Sequence, residues 1–196
     1  MRNRLRLWNI NGLGAEVSRV VSAVEAGERG DPLAKRLPRV LEGLERAAWE
    51  SLVHHYHGAE FEKPCVMLLE SLYGEENVEH TGGSGERGAD AVCRHTDPLG
   101  VQHRLAVQVK MWEWDAAWTR PLDQIRQAYR AYEGITAGVI IATSETASNG
   151  FEAARVALEK ELRIPVQVIL RKDLLRLFIA HLPEIVGETE DVDAGA

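Results

Sequence analysis

Three polar residues interrupt two otherwise apolar segments of this 196-residue chain. In "RLAVQVK" (104–110), Leu105, Val107 and Val109 alternate with Ala106, Gln108 and Lys110. Strand side chains point to opposite faces in turn, so the amide of Gln108 and the ammonium of Lys110 share one face. Asp90 opens the preceding segment, and "TDPLG" (96–100) supplies Pro and Gly for a connection between the two. A tight turn there brings Asp90 to the sheet end that holds Gln108 and Lys110. The helix-like stretch "AEFEKPCVMLLESLYG" (59–74) offers a second carboxylate. Glu62 shares a face with Cys65 and Leu69, while its rival Glu60 lies on the azimuth of Pro64 and Met67. Carboxylates and an amide oxygen are hard ligands that suit Mg²⁺, with Mn²⁺ as a substitute, and do not suit zinc. Such a cation beside a lysine fits phosphodiester hydrolysis. The metal acidifies water and shields charge on the phosphate, and the lysine orients or helps deprotonate the water.

The elements that must position these groups follow from periodicity. "RLRLWNI" (4–10) reads as a strand, 15–26 as a helix, and a longer helix starts near Pro38 and stops at Gly58. Pro64 is tolerated only in a first turn, so the next helix should start near Glu62, with Gly74 as its stop. A strand at 78–80, a glycine-rich loop at 82–88 and the hairpin follow. A Trp-rich loop (111–118) then leads to a helix at about 120–133. "AGVIIAT" (137–143) has the continuous apolar character of a strand buried on both faces. A helix (148–162), a strand (165–170) and a helix (172–182) complete the pattern. From residue 59 onward the order is α, β-β-β, α, β, α, β, α, an α/β mixed sheet flanked by helices.

Net charge is −7, but five acids and no Lys or Arg fall in 184–196, and without that tail the balance is −2. The acidic tail reads as disordered. Residues 1–57 carry nine Lys/Arg against seven Asp/Glu, so charge neither supports nor excludes a nucleic-acid partner. No apolar run is long enough to cross a membrane, and no secretory signal is evident. Cys65 and Cys93 form no CxxC pair and read as reduced, buried thiols of a cytoplasmic protein.

"GAEFEKPCVMLLESLYG", "GGSGERGADAV" and "LAVQVK", in this order, resemble the catalytic domain of Mrr-type restriction endonucleases, within the PD-(D/E)xK nuclease superfamily. "GVIIATSETAS" and "IPVQVILRKDLLRLF" resemble its later strands and last helix. The resemblance implies a restriction-endonuclease-like catalytic domain at 58–183, a mainly helical N-terminal extension at 1–57 and a tail at 184–196. It implies a Mg²⁺-dependent DNA endonuclease of restriction or phage defence. Asp90 would be the central metal ligand, with Glu62 as the helix carboxylate. Gln108 and Lys110 would form the second half of the signature, and the carbonyl of Val109 would be an additional ligand. Gln108 replaces the usual acid, which removes one negative charge and weakens the metal affinity expected. Homodimerisation is implied too, because cutting a duplex needs two sites. Residues 1–57 are short for a winged-helix reader and are free to dimerise or to dock a protein partner. The rival readings are a structure-selective, junction-resolvase-like nuclease and a catalytically inactive module that binds DNA or protein.

Other motifs have plainer readings. "GSGERG" (83–88) precedes a strand instead of opening a helix, which excludes a dinucleotide site. "HHYHG" (54–58) reads as a polar helix end, since His54, His55 and His57 cannot share one face. Trp112, Trp114 and Trp118 suit core or dimer packing, with DNA stacking as the alternative. Arg87, Trp112, Arg120 and Arg126 are the candidate DNA contacts.

Overall fold

Five strands form one mixed sheet in the order β1 (Val78–His80), β2 (Ala91–Thr96), β3 (Gln102–Lys110), β4 (Ala137–Ala142) and β5 (Val166–Ile169). The computed structural model describes residues 32–82, 87–111 and 119–187. The strand expected at 4–10, the helix at 15–26, Trp112, Trp114, Trp118, residues 83–86 of the glycine loop and residues 188–196 of the tail lie outside the described residues. The chain divides into two units, Met1–His57 and Gly58–Ala196.

In the first unit, α1 (Pro32–His55) starts six residues earlier than its expected origin at Pro38. A proline lacks an N–H and fits the first position of a helix, so Pro32 serves as the start. At its other end the Nδ1–H of His55 donates to the Ser51 carbonyl at 2.8 Å. The His54 ring meets those of His55 and His57 edge-on at 5.7 and 6.0 Å. Among the described residues no three His, Cys, Asp or Glu side chains form a metal-holding group.

In the second unit, β1, β2 and β3 pair antiparallel, and β3, β4 and β5 pair parallel. Helix α2 (Glu62–Tyr73) starts where Pro64 requires and packs on β1 and β2, beside α5 (Arg171–Gly187). The other face carries α3 (Arg120–Ala131) and α4 (Asn149–Leu162), over a core that includes Val92, Ala106, Ile125, Ile140, Phe151 and Leu158. With helices on both faces, β4 is buried along nearly its whole length, which explains its unbroken apolar sequence. The start of α4 is capped by Ser148, whose hydroxyl accepts from the Phe151 N–H at 3.1 Å. Helix α5 continues past its expected end to Gly187, so residues 184–187 are helical and not part of a disordered tail. Both cysteines are free and buried. Among the described residues no helix is long and apolar enough to cross a membrane.

Candidate active site

Asp90 sits one residue before β2, at the strand end where the register Ala91↔Val107 brings it level with Gln108. Its backbone is held on two sides. Its N–H donates to the Val107 carbonyl at 2.8 Å, and its own carbonyl accepts from the N–H groups of Thr81 and Gly82 at 2.9 and 3.1 Å. The Thr81 hydroxyl donates to the Ala89 carbonyl at 2.7 Å, which fixes the same loop. Gly88 makes this course of the chain possible. It has φ +88°, and a Cβ there would lie 2.2 Å from the Gln124 carbonyl oxygen of α3.

The carboxylate of Asp90 belongs to a residue only 2% exposed. Burying an unpaired charge is expensive, and here hydrogen bonds offset the cost. Oδ2 accepts from the Val109 N–H at 2.7 Å, and it also accepts from the Gln108 side-chain Nε2. The side chain thus serves a backbone donor of β3 that the strand end would otherwise leave unpaired.

Gln108 is fully buried. Alternation puts it, with Ala106 and Lys110, on the α3 face, whereas α2 lies on the face of Ala91 and Cys93. Asp90, level with Gln108 at the strand end, is two residues from Val92 on the same alternation. The amide does not offer its oxygen to the same point as Asp90, as the spacing suggested. Its NH₂ faces the carboxylate, because an amide oxygen beside an anion would be repelled. The Oε1 atom is left buried with no hydrogen-bond partner among the described residues. Such an orphan acceptor costs about 1–3 kcal/mol, which a donor or a cation would recover.

Glu62 is the first residue of α2, directly after the fully buried Phe61. Its Oε2 lies 3.9 Å from the His80 Nε2. It also crosses Gly82 so closely that a Cβ there would be 2.7 Å from Oε2. One turn along, the buried Cys65 thiol has its pKa pushed up, first by burial and then by the charges of Asp90 and Glu62. Cys65 therefore lies within electrostatic reach of both carboxylates. Glu60 is exposed and pairs with Lys63 at 3.4 Å. Lys110 ends β3, partly buried, two residues beyond Gln108.

The structure brings Asp90, Gln108 and Val109 into direct contact and sets the Glu62 carboxylate against Gly82, whose N–H donates to the Asp90 carbonyl. Arg87 and Arg120 are exposed. Arg126 is committed to carboxylates: its Nε is 2.9 Å from Glu161 Oε1, and its Nη1 pairs with Asp123. These pairs raise its pKa, the Glu161 hydrogen bond most, and leave it less suited to a phosphate than Arg87 or Arg120. The roles of Thr81, Gly82 and His80 around the carboxylates had no signal in the sequence beyond the small-residue loop itself.

A residue set of two carboxylates, one unpartnered buried amide oxygen and a strand-end carbonyl is chemically suited to a hard divalent cation. A family model described as restriction endonuclease, Mrr_cat, matches residues 53–178. Among solved structures, the chain is similar to the MspJI restriction endonuclease in complex with a 27-mer oligonucleotide, with 17% identity and a TM-score of 0.47 over 73% of this chain and 33% of that one. It is also similar to the restriction endonuclease FokI, with 14% identity and a TM-score of 0.49 over 68% of this chain and 27% of that one. The DNA-bound form of FokI gives 13% identity and a TM-score of 0.47, over 86% and 34%. The chain spans about a third of the length of these proteins. A search of the curated proteins finds no match. With more than half of its length matched by the family model, the chain belongs to the Mrr_cat restriction endonuclease family.

Proposed function

We propose that this chain is a Mg²⁺-dependent DNA endonuclease, with Mn²⁺ as a substitute, acting in restriction or phage defence. Asp90 and Glu62 would hold the metal together with the Val109 carbonyl and, once the amide turns over to replace its NH₂ beside Asp90, the Gln108 Oε1. The bound cation would supply a more acidic water and would shield negative charge on the scissile phosphate. Asp90 is placed for this before any ligand arrives, since the Val109 N–H and the Thr81–Gly82 amides fix its carboxylate and backbone. The Lys110 ammonium orients the attacking water and balances charge on the phosphate as the bond to the leaving oxygen breaks. Arg87, Arg120 and Trp112 contact the DNA, and two copies of the chain present two sites to a duplex. The N-terminal unit docks a protein partner.

The observation that carries this reading is the buried, clamped Asp90 beside an amide whose oxygen has no partner among the described residues. The family membership supports a nuclease site over a structural one. A second reading, a nuclease-fold module that binds DNA without cutting it, draws on the same amide, because the Gln108 NH₂ already occupies a carboxylate oxygen of Asp90 with a hydrogen bond.

Incubation of supercoiled plasmid with Mg²⁺ or Mn²⁺ separates the two. Wild type should nick or linearise it, EDTA should stop the reaction, and Asp90→Ala and Lys110→Ala should both be inactive. Cutting that persists in both variants would remove these residues from the chemistry. Failure of all three proteins to cut would favour the binding module.

A further inference from the structure

Of the two carboxylates proposed for the metal, Asp90 is clamped and Glu62 is not. The Asp90 Oδ2 accepts from the Val109 N–H at 2.7 Å and from the Gln108 Nε2. Glu62, at the first position of α2, has the support of the helix dipole. Its sequence neighbour Lys63 is turned to Glu60, at 3.4 Å. Among the described residues, the basic group that reaches the Glu62 carboxylate is the His80 imidazole, with Nε2 3.9 Å from Oε2. A glutamate side chain without a partner samples several rotamers, and these must be given up when it ligates a cation.

The sheet register places His80 for this contact. β1 ends at His80, which pairs with Ala91, the residue after Asp90. Thr81 and Gly82 follow, and their N–H groups donate to the Asp90 carbonyl at 2.9 and 3.1 Å. The imidazole and the carboxylate converge at Gly82. A Cβ there would lie 2.7 Å from the Glu62 Oε2 and 3.1 Å from the His80 Nε2. The absent side chain thus leaves the space in which the two groups meet, on a residue that is itself tied to Asp90. The Glu62 side chain is 25% exposed and that of His80 is half-exposed, so water screens the contact only in part.

A separation of 3.9 Å is longer than a hydrogen bond. Contacts around catalytic groups often run long until a ligand draws them in. Imidazole can present an Nε2–H in either charge state, so the contact does not require a protonated ring. A hard cation prefers oxygen donors, so the ring acts on the carboxylate and not as a rival ligand. Groups that orient a ligating carboxylate in this way change metal affinity by about ten- to hundredfold.

We propose that His80 is a positioning residue, which holds the Glu62 carboxylate over Gly82 in the orientation that metal binding needs. This role deepens the metal-nuclease reading of the Asp90 site and rests on it.

The test is a Mn²⁺ titration of the full chain followed by electron paramagnetic resonance. Wild type should bind saturably and Asp90→Ala should not. His80→Ala should weaken Mn²⁺ binding at least about tenfold at an unchanged melting temperature. His80→Gln, which keeps an N–H donor, should recover most of the loss. In a Glu62→Gln background, His80→Ala should change the affinity by less than about threefold, because the ring acts through that carboxylate. Where Glu62→Gln binds too weakly to titrate, the contrast between His80→Ala and His80→Gln decides. No saturable binding by wild type, or binding that Asp90→Ala leaves unchanged, would overturn the metal reading and this role together. Binding abolished by Asp90→Ala yet unchanged by His80→Ala would overturn the role of His80 alone. So would a full tenfold loss in the Glu62→Gln background. A nitrogen modulation in the spin echo of bound Mn²⁺ that disappears in His80→Ala would overturn it too, by making the ring a ligand.

Discussion

The two ends of the β2–β3 hairpin carry polar groups of opposite character, held in opposite ways. At the Asp90 end, a carboxylate is buried, and backbone N–H groups from β3 and from the Thr81–Gly82 loop hold it or its residue. At the turn end, two arginines are held by backbone carbonyls, and Arg104 also lies 5.9 Å from the centre of the Tyr132 ring. The turn itself is closed by Asp97, whose Oδ1 accepts from the Leu99 and Val101 N–H groups and whose backbone N–H donates to the Val101 carbonyl, each at 2.9 Å. Within one hairpin, the buried end is fixed by hydrogen bonds to its carboxylate, and the turn end leaves its polar side chains at or near the surface.

The largest effect expected from disturbing this contrast is on activity. Asp90→Asn keeps an oxygen that can accept the Val109 N–H but removes the charge. Plasmid cutting should fall at least about a thousandfold, the scale of losing a principal electrostatic group, while the melting temperature stays near that of wild type. A matched loss of stability would mean that Asp90 is structural. Next comes Gly88→Ala. A Cβ at φ +88°, set 2.2 Å from a backbone oxygen, combines left-handed strain with overlap against α3. It should cost about 3 kcal/mol or more in urea unfolding. A near-neutral result would show that the loop before Asp90 is not clamped.

The smallest effect is a pH dependence. Burial raises the Cys93 thiol from its ordinary 9.0 to about 12. The folded state therefore holds this proton where the unfolded chain releases it. The resulting stability is complete below 9.0 and is lost as pH rises from there towards about 12. Urea midpoints should fall across this window in wild type and fall less in Cys93→Ala. Equal slopes would remove Cys93 from the alkaline transition.

Much of this architecture was legible from local pattern. The alternation of Leu105–Lys110, the continuous apolar run of β4 and the Pro64 limit on α2 each report a backbone rule that acts over a few residues. The same rules pointed to Asp90, Gln108 and Lys110 as neighbours at one strand end. What stayed hidden depends on partners far along the chain. The orientation of the Gln108 amide is set by the carboxylate beside it, not by its own strand. The approach of Glu62 depends on the missing side chain of Gly82, and the shared influence of two carboxylates on Cys65 appears only when α2 lies on the sheet. The opposition of Arg94 and Arg104 requires the hairpin register, which the Asp97 turn sets, and a one-residue slip would move every side chain to the other face. The start of α1 at Pro32 is not distinguishable in the sequence, because Pro38 offers an equally good first turn.

The most direct test of the central claim, that Asp90 and Gln108 form one metal-binding centre, is a Mn²⁺ titration followed by electron paramagnetic resonance. Wild type should bind saturably and Asp90→Ala should not. Gln108→Glu, which restores the missing negative charge, should bind at least about tenfold more tightly than wild type. Mn²⁺ affinity unchanged by both substitutions would contradict it.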